Sequence, residues 1–142
     1  MKKVSKIICL LLSVILCLAL PVSAQEIAPF SSSYFGSYNT YLWKTSSTSF
    51  QVWYDVTAVG IMTELGVDYI DIERSSDGTS WSVVKTYDRD DYSGLVNGNT
   101  TNHSGYVTYS NMQSGYQYRA YVRFYARNSS GGKGYHGAYA YF

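Results

Sequence analysis

Tyr118-Arg119-Ala120-Tyr121-Val122-Arg123-Phe124-Tyr125-Ala126-Arg127 is the stretch that decides the fold. Tyr118, Ala120, Val122, Phe124 and Ala126 fall on one side of an extended chain, and Arg119, Tyr121, Arg123, Tyr125 and Arg127 on the other. A strand places alternate side chains on opposite faces, whereas a helix would scatter these apolar residues around its circumference. The segment therefore predicts a half-buried strand, and a run this long fixes its register.

Downstream, Asn128 to Gly134 is a glycine-bearing turn, and Tyr135 to Phe142 is a closing strand. Upstream, Gly105 to Ser110 predicts a strand with Val107 and Tyr109 inward. Asp88 to His103, rich in Asp, Asn and Gly, reads as a long loop with room for a short edge strand within it. Trp81 to Tyr87 and Val67 to Arg74 form a hairpin, with Ile70 and Ile72 inward and Tyr69, Asp71 and Glu73 outward. The turn between them carries Asp77-Gly78, a pair that accepts the positive φ of tight hairpins.

Val59 to Gly66 holds Ile61, Met62 and Leu65 between glycines and reads as a loop covering one end of the core. Ser49 to Ala58 alternates Phe50, Val52, Tyr54 and Val56 against Gln51, Trp53, Asp55 and Thr57. A first edge strand is placed near Tyr41 to Lys44. Nothing after Ala24 has helical spacing. Seven or so short strands joined by turns predict an all-β fold, an antiparallel β-sandwich over residues 41–142.

The N-terminus belongs to another class of segment. Lys2, Lys3 and Lys6 precede an apolar run from Ile7 to Leu20, and Val22-Ser23-Ala24 supplies the small residues of a cleavage site. Residues 1–24 are predicted to be a signal peptide and the product to be secreted. The apolar run is too short to span a bilayer, which takes about 20 residues. Residues 25–40 follow as a Ser/Tyr-rich mobile arm.

Cys9 and Cys17 lie inside the predicted signal, so the exported chain would carry no disulfide, thiolate metal site or cysteine nucleophile. Without Lys2, Lys3 and Lys6 the 11 basic residues fall to 8 against 10 acidic ones, a net charge of −2. That balance argues against nucleic acid as a partner. All 16 tyrosines, 3 tryptophans and 5 phenylalanines lie after Ala24, more than the core of so small a domain consumes. Tyrosine suits both half-buried strand faces and wet contact surfaces.

Met112-Gln113-Ser114-Gly115-Tyr116-Gln117-Tyr118 resembles the L-x-P-G-x-x-Y corner of fibronectin type III domains, within the wider immunoglobulin-like class of sandwiches. Ile72 to Trp81 is similar to the hairpin between strands C and C′ of bacterial members. The resemblance implies a tyrosine corner, with the Tyr118 hydroxyl bonded to backbone near Met112 and Gly115 in the turn. It also implies structural roles for Asp77, Gly78 and Trp81, and it names no active site. The whole chain resembles small exported tyrosine-rich proteins of unknown function from Gram-positive anaerobes.

Asp88, Asp90 and Asp91, with Ser93, Asn97 and Asn99, gather oxygen ligands in one loop, but the EF-hand spacing from Asp88 places Asn99 where glutamate is required. No cofactor is expected. Asp71 and Glu73 share a strand face, yet a glycosidase pair must flank a cleft, and cross-strand ion pairs with Arg119 and Arg123 account for them more simply. No constellation meets the geometric needs of catalysis, and a non-enzymatic role is expected. The candidate contact surface is Tyr69, Asp71, Glu73, Arg119, Tyr121, Arg123 and Tyr125, whose rings and guanidinium planes could stack on glycan or pack against an extracellular protein. The competing reading makes the same ladder a support for its sheet. A secreted antagonist resembling a bacteriocin is the alternative function.

Overall fold

The computed structural model describes residues 33–142. The predicted signal peptide and residues 25–32 of the predicted arm lie outside the described residues. Among the described residues eight strands form two antiparallel sheets. In the first, β1 (Phe35–Lys44), β2 (Phe50–Met62) and β6 (Thr100–Tyr109) lie in the order β1-β2-β6. In the second, β3 (Glu64–Ser75), β4 (Ser82–Asp88), β7 (Gln117–Arg127) and β8 (Lys133–Tyr141) lie in the order β4-β3-β7-β8, and the two-residue β5 (Val96–Asn97) pairs with β3. This is the predicted all-β sandwich with one short strand more than expected.

The core follows from the alternation. Phe50, Val52, Tyr54 and Val56 of β2 are buried, as are Ile70 and Ile72 of β3, Val107 and Tyr109 of β6, and Tyr118, Ala120, Val122 and Phe124 of β7. Removing these apolar side chains from water supplies the main driving force, at roughly 25 cal/mol per Å². Strand β7 is central in its sheet, pairing with β3 on one side and β8 on the other.

Several boundaries differ from the sequence reading. Strand β1 begins at Phe35 rather than near Tyr41, because Phe35 is buried and the Tyr38 ring packs on Phe124 at 5.4 Å and His136 at 3.9 Å. The expected loop from Val59 to Gly66 is strand almost throughout, with Thr63 alone between β2 and β3. Thr63 makes this crossing between sheets by donating both its N–H and its hydroxyl to the Arg127 carbonyl, at 2.8 and 2.9 Å. Met62 and Leu65 are buried as expected, but Ile61 is 72% exposed.

The expected long loop from Asp88 to His103 contains a 3₁₀ turn (Ser93–Leu95), β5 and the start of β6. Leu95 is buried and plugs the core beside Gly66. A Cβ on Gly66 would strike the Leu95 carbonyl oxygen and lie 2.8 Å from the Val96 Cα, so only glycine admits this approach.

The residues singled out for structural roles lie in two turns. The Gln113 N–H donates to the Tyr118 hydroxyl at 2.8 Å, one residue from the predicted Met112, and Met112 packs against the core. Gly115 takes a positive φ of 84° in the turn before β7. In the hairpin turn Gly78 has φ 74°, while Asp77 accepts the N–H groups of Thr79 and Ser80 and the Ser75 hydroxyl, each at 2.8 Å. Those donors, Ser80 and Thr79 foremost, hold the Asp77 carboxyl well below the usual carboxylate range. Among the described residues no helix is long and apolar enough to cross a membrane.

Candidate functional site

The outward face of the second sheet contains the predicted contact surface. The register sets Tyr69 opposite Arg123, Asp71 opposite Tyr121 and Glu73 opposite Arg119, so β3 and β7 bring six of the seven residues side by side, while Tyr125 stands opposite Gly66. Their charges are satisfied within the protein. Arg119 Nε reaches Glu73 Oε2 at 2.6 Å, and its guanidinium is sandwiched between Trp81 at 4.3 Å and Tyr139 at 4.5 Å. Arg123 lies over Tyr135 at 4.2 Å and Tyr69 at 5.6 Å. The planar guanidinium is suited to such stacking, which fixes the side chains in place.

Two details depart from the prediction. Asp71 pairs with no arginine but accepts from the Thr86 hydroxyl at 2.5 Å, while Arg123 turns to Asp68 at 3.6 Å. The cause is a bulge between Val67 and Tyr69, which puts Asp68 and Tyr69 consecutively on the outer side and brings Asp68 within 3.3 Å of Arg89. Tyr125 faces outward by parity yet is only 1% exposed. Arg89 covers its ring at 4.1 Å, Tyr135 flanks it at 5.4 Å, and its hydroxyl donates to Glu64 at 2.6 Å. Tyr125 is therefore sealed from any ligand, whereas Tyr121 is half-buried between Tyr69 and Tyr139.

The three-stranded sheet carries a second aromatic face. Tyr41, Trp43 and Tyr106 are 48%, 61% and 51% exposed. Tyr41 on β1, Trp53 on β2 and Tyr106 on β6 stand opposite one another in register. The Tyr41 and Trp53 rings lie 6.1 Å apart and are parallel to within 1°, and Trp53 and Tyr106 lie 4.7 Å apart. Trp53 Nε1 donates to Gln51 Oε1 at 3.0 Å, which fixes the indole. Outward placement of Trp53 was readable from its own strand, but the company of Tyr41 and Tyr106 depends on strand order, which periodicity does not encode.

Two clefts open among the described residues. One, of about 560 Å³, is lined by Lys44, Trp81, Tyr116, Tyr118, Tyr141 and Phe142. The other, of about 420 Å³, lies between the 3₁₀ turn and β6 and is lined by Tyr54, Asp91, Tyr92 and Tyr106 among others. The acidic loop is closed on itself: Asp88 accepts the Asp90 N–H at its carboxylate, and the N–H groups of Asp91 and Tyr92 at its carbonyl. Among the described residues no group of three or more His, Cys, Asp and Glu side chains is placed to hold a metal ion. His103 bonds the Gly94 carbonyl at 2.9 Å, and the His136 ring lies against Tyr38. No protein-family model, curated protein or solved structure matches the chain.

Proposed function

We propose that this chain is an exported, non-catalytic β-sandwich of fibronectin type III-like form that acts outside the cell as a binding module for glycan or protein. One observation carries the reading: large aromatic rings stay open to solvent in registered rows, held by neighbours, although the core is complete without them. Rings fixed in this way lose little freedom on meeting a ligand. Export is supported by the charged, apolar and small-residue segments of residues 1–24. The sandwich assignment draws on the bond between Gln113 and Tyr118, and the non-catalytic reading on the engagement of Glu73 by Arg119 and of Asp71 by Thr86.

The test uses the secreted protein on a glycan array and as bait in its native culture medium, with growth of neighbouring species measured in parallel. Saturable binding to a glycan or an extracellular protein supports the module. Growth inhibition with no such binding overturns it in favour of a secreted antagonist.

A further inference from the structure

The outer face of the three-stranded sheet is ordered in rows across β1, β2 and β6. Trp43, Gln51 and Thr108 stand in register, then Tyr41, Trp53 and Tyr106, then Asn39, Asp55 and Ser104, then Ser37, Thr57 and Asn102. Aromatic rings occupy one end and hydroxyl and amide groups the other. Asp55 is the sole charged residue in these rows, and no lysine or arginine stands among them.

The geometry points to this face as a platform for a neutral glycan chain, an inference that rests on the binding-module reading above. A sugar ring presents apolar C–H faces and a rim of hydroxyls. The first need π-surface, which Tyr41, Trp43 and Tyr106 keep exposed. The second need donors and acceptors, which Asn39, Asp55 and Ser104 supply in the adjoining row. A face without cations gives no electrostatic attraction to anionic polysaccharide, nucleic acid or acidic lipid. Protein partners anchor their strongest contacts in desolvated pockets, and of the rings on this face only Tyr106 borders a cleft, whereas Tyr41, Trp43 and Trp53 line neither cleft described above. An open sheet face with a fixed central indole instead suits an extended chain laid across it. The second sheet differs, since its arginines already stack on its own rings.

Affinity electrophoresis of the secreted protein in gels containing mixed-linkage β-glucan, xyloglucan or galactomannan tests this, with alginate as the anionic comparator. At least one neutral polysaccharide should retard the protein. The combined Tyr41→Ala and Tyr106→Ala variant should weaken that binding by about tenfold or more, equivalent to about 1.4 kcal/mol. Ile61→Ser, away from these rows, should leave it unchanged. Thermal unfolding checks that the double variant folds; if it does not, Trp43→Ala, at a more exposed ring, carries the test with the same expected direction. Retardation by alginate alone overturns the inference, as does loss of binding in Tyr139→Ser with retention in the first-sheet variants. Capture of a protein or of phosphatidylcholine vesicles through Tyr41 and Tyr106, without glycan binding, also overturns it while leaving a binding module. Absence of binding to glycan, protein and vesicle removes the inference and the module together.

Discussion

The backbone N–H of Gln113 donates to the Tyr118 hydroxyl at 2.8 Å, tying the turn before β7 to the ring that opens that strand. The Tyr118 ring packs on Phe50 at 5.8 Å and Tyr109 at 5.9 Å, so it joins both sheets. Tyr118→Phe keeps this packing and removes one hydrogen bond. It should cost about 1 to 2 kcal/mol. Urea denaturation of both forms reads the difference, and an unchanged midpoint would show that the turn is held by other contacts.

Gly66 predicts a larger loss. Its missing side chain lets the Leu95 carbonyl approach β3, and Leu95 fills the core from that position. Gly66→Ala must displace the 3₁₀ turn and β5 together, at about 2 kcal/mol or more. Hydrogen exchange should then show faster exchange at residues 95–97 than in the parent protein. A variant with parental stability and protection would mean that the segment yields without cost.

The sandwich was legible because its strands alternate cleanly: the buried and exposed sides of β2 and most of β7 follow from spacing alone. Three features were not. Strict parity gives no place to the extra residue at Asp68, so it points Arg123 to the acids farther along β3 instead. Parity also marks Tyr125 as outward without revealing that Arg89, in the turn after β4, closes over it. The row of Tyr41, Trp53 and Tyr106 required knowing that β1 and β6 flank β2. All three are long-range relations, whereas periodicity is a local one.

The burial of Tyr54 and Tyr87 predicts a loss of stability at alkaline pH. Burial pushes the Tyr54 pKa up to about 12, and burial reinforced by Tyr92 and Tyr109 does the same for Tyr87. In the unfolded chain both ionise near 10. Between about pH 10 and 12 the folded state keeps protons that the unfolded state has released, so stability falls as pH rises through that window. Below it both states are protonated and these groups add no slope. The urea midpoint should therefore hold steady up to about pH 9.5 and decline beyond it, and Tyr54→Phe combined with Tyr87→Phe should flatten the decline. An equally steep decline in the double variant would assign it to other groups.

Tyr121 and Tyr125 lie on the same outward side of β7, yet their substitutions should part company. Tyr121 leans across Gly137 of β8, where a Cβ would meet its hydroxyl, and it remains half-buried among Tyr69 and Tyr139. Tyr121→Ser loses partial packing on an exposed face and should cost about 1 kcal/mol. Tyr125→Ser removes a fully buried ring, uncovers the Arg89 stack and leaves Glu64 without its hydroxyl donor. It should cost about 3 kcal/mol, in the range of large buried truncations. That hydroxyl is also the main cause holding the Glu64 carboxyl below its ordinary value, so its loss should raise the Glu64 pKa in an NMR titration. Equal destabilisation by the two substitutions, with Glu64 unmoved, would mean that Arg89 does not close over Tyr125 in solution, and the ladder would then be open to ligands along its whole length.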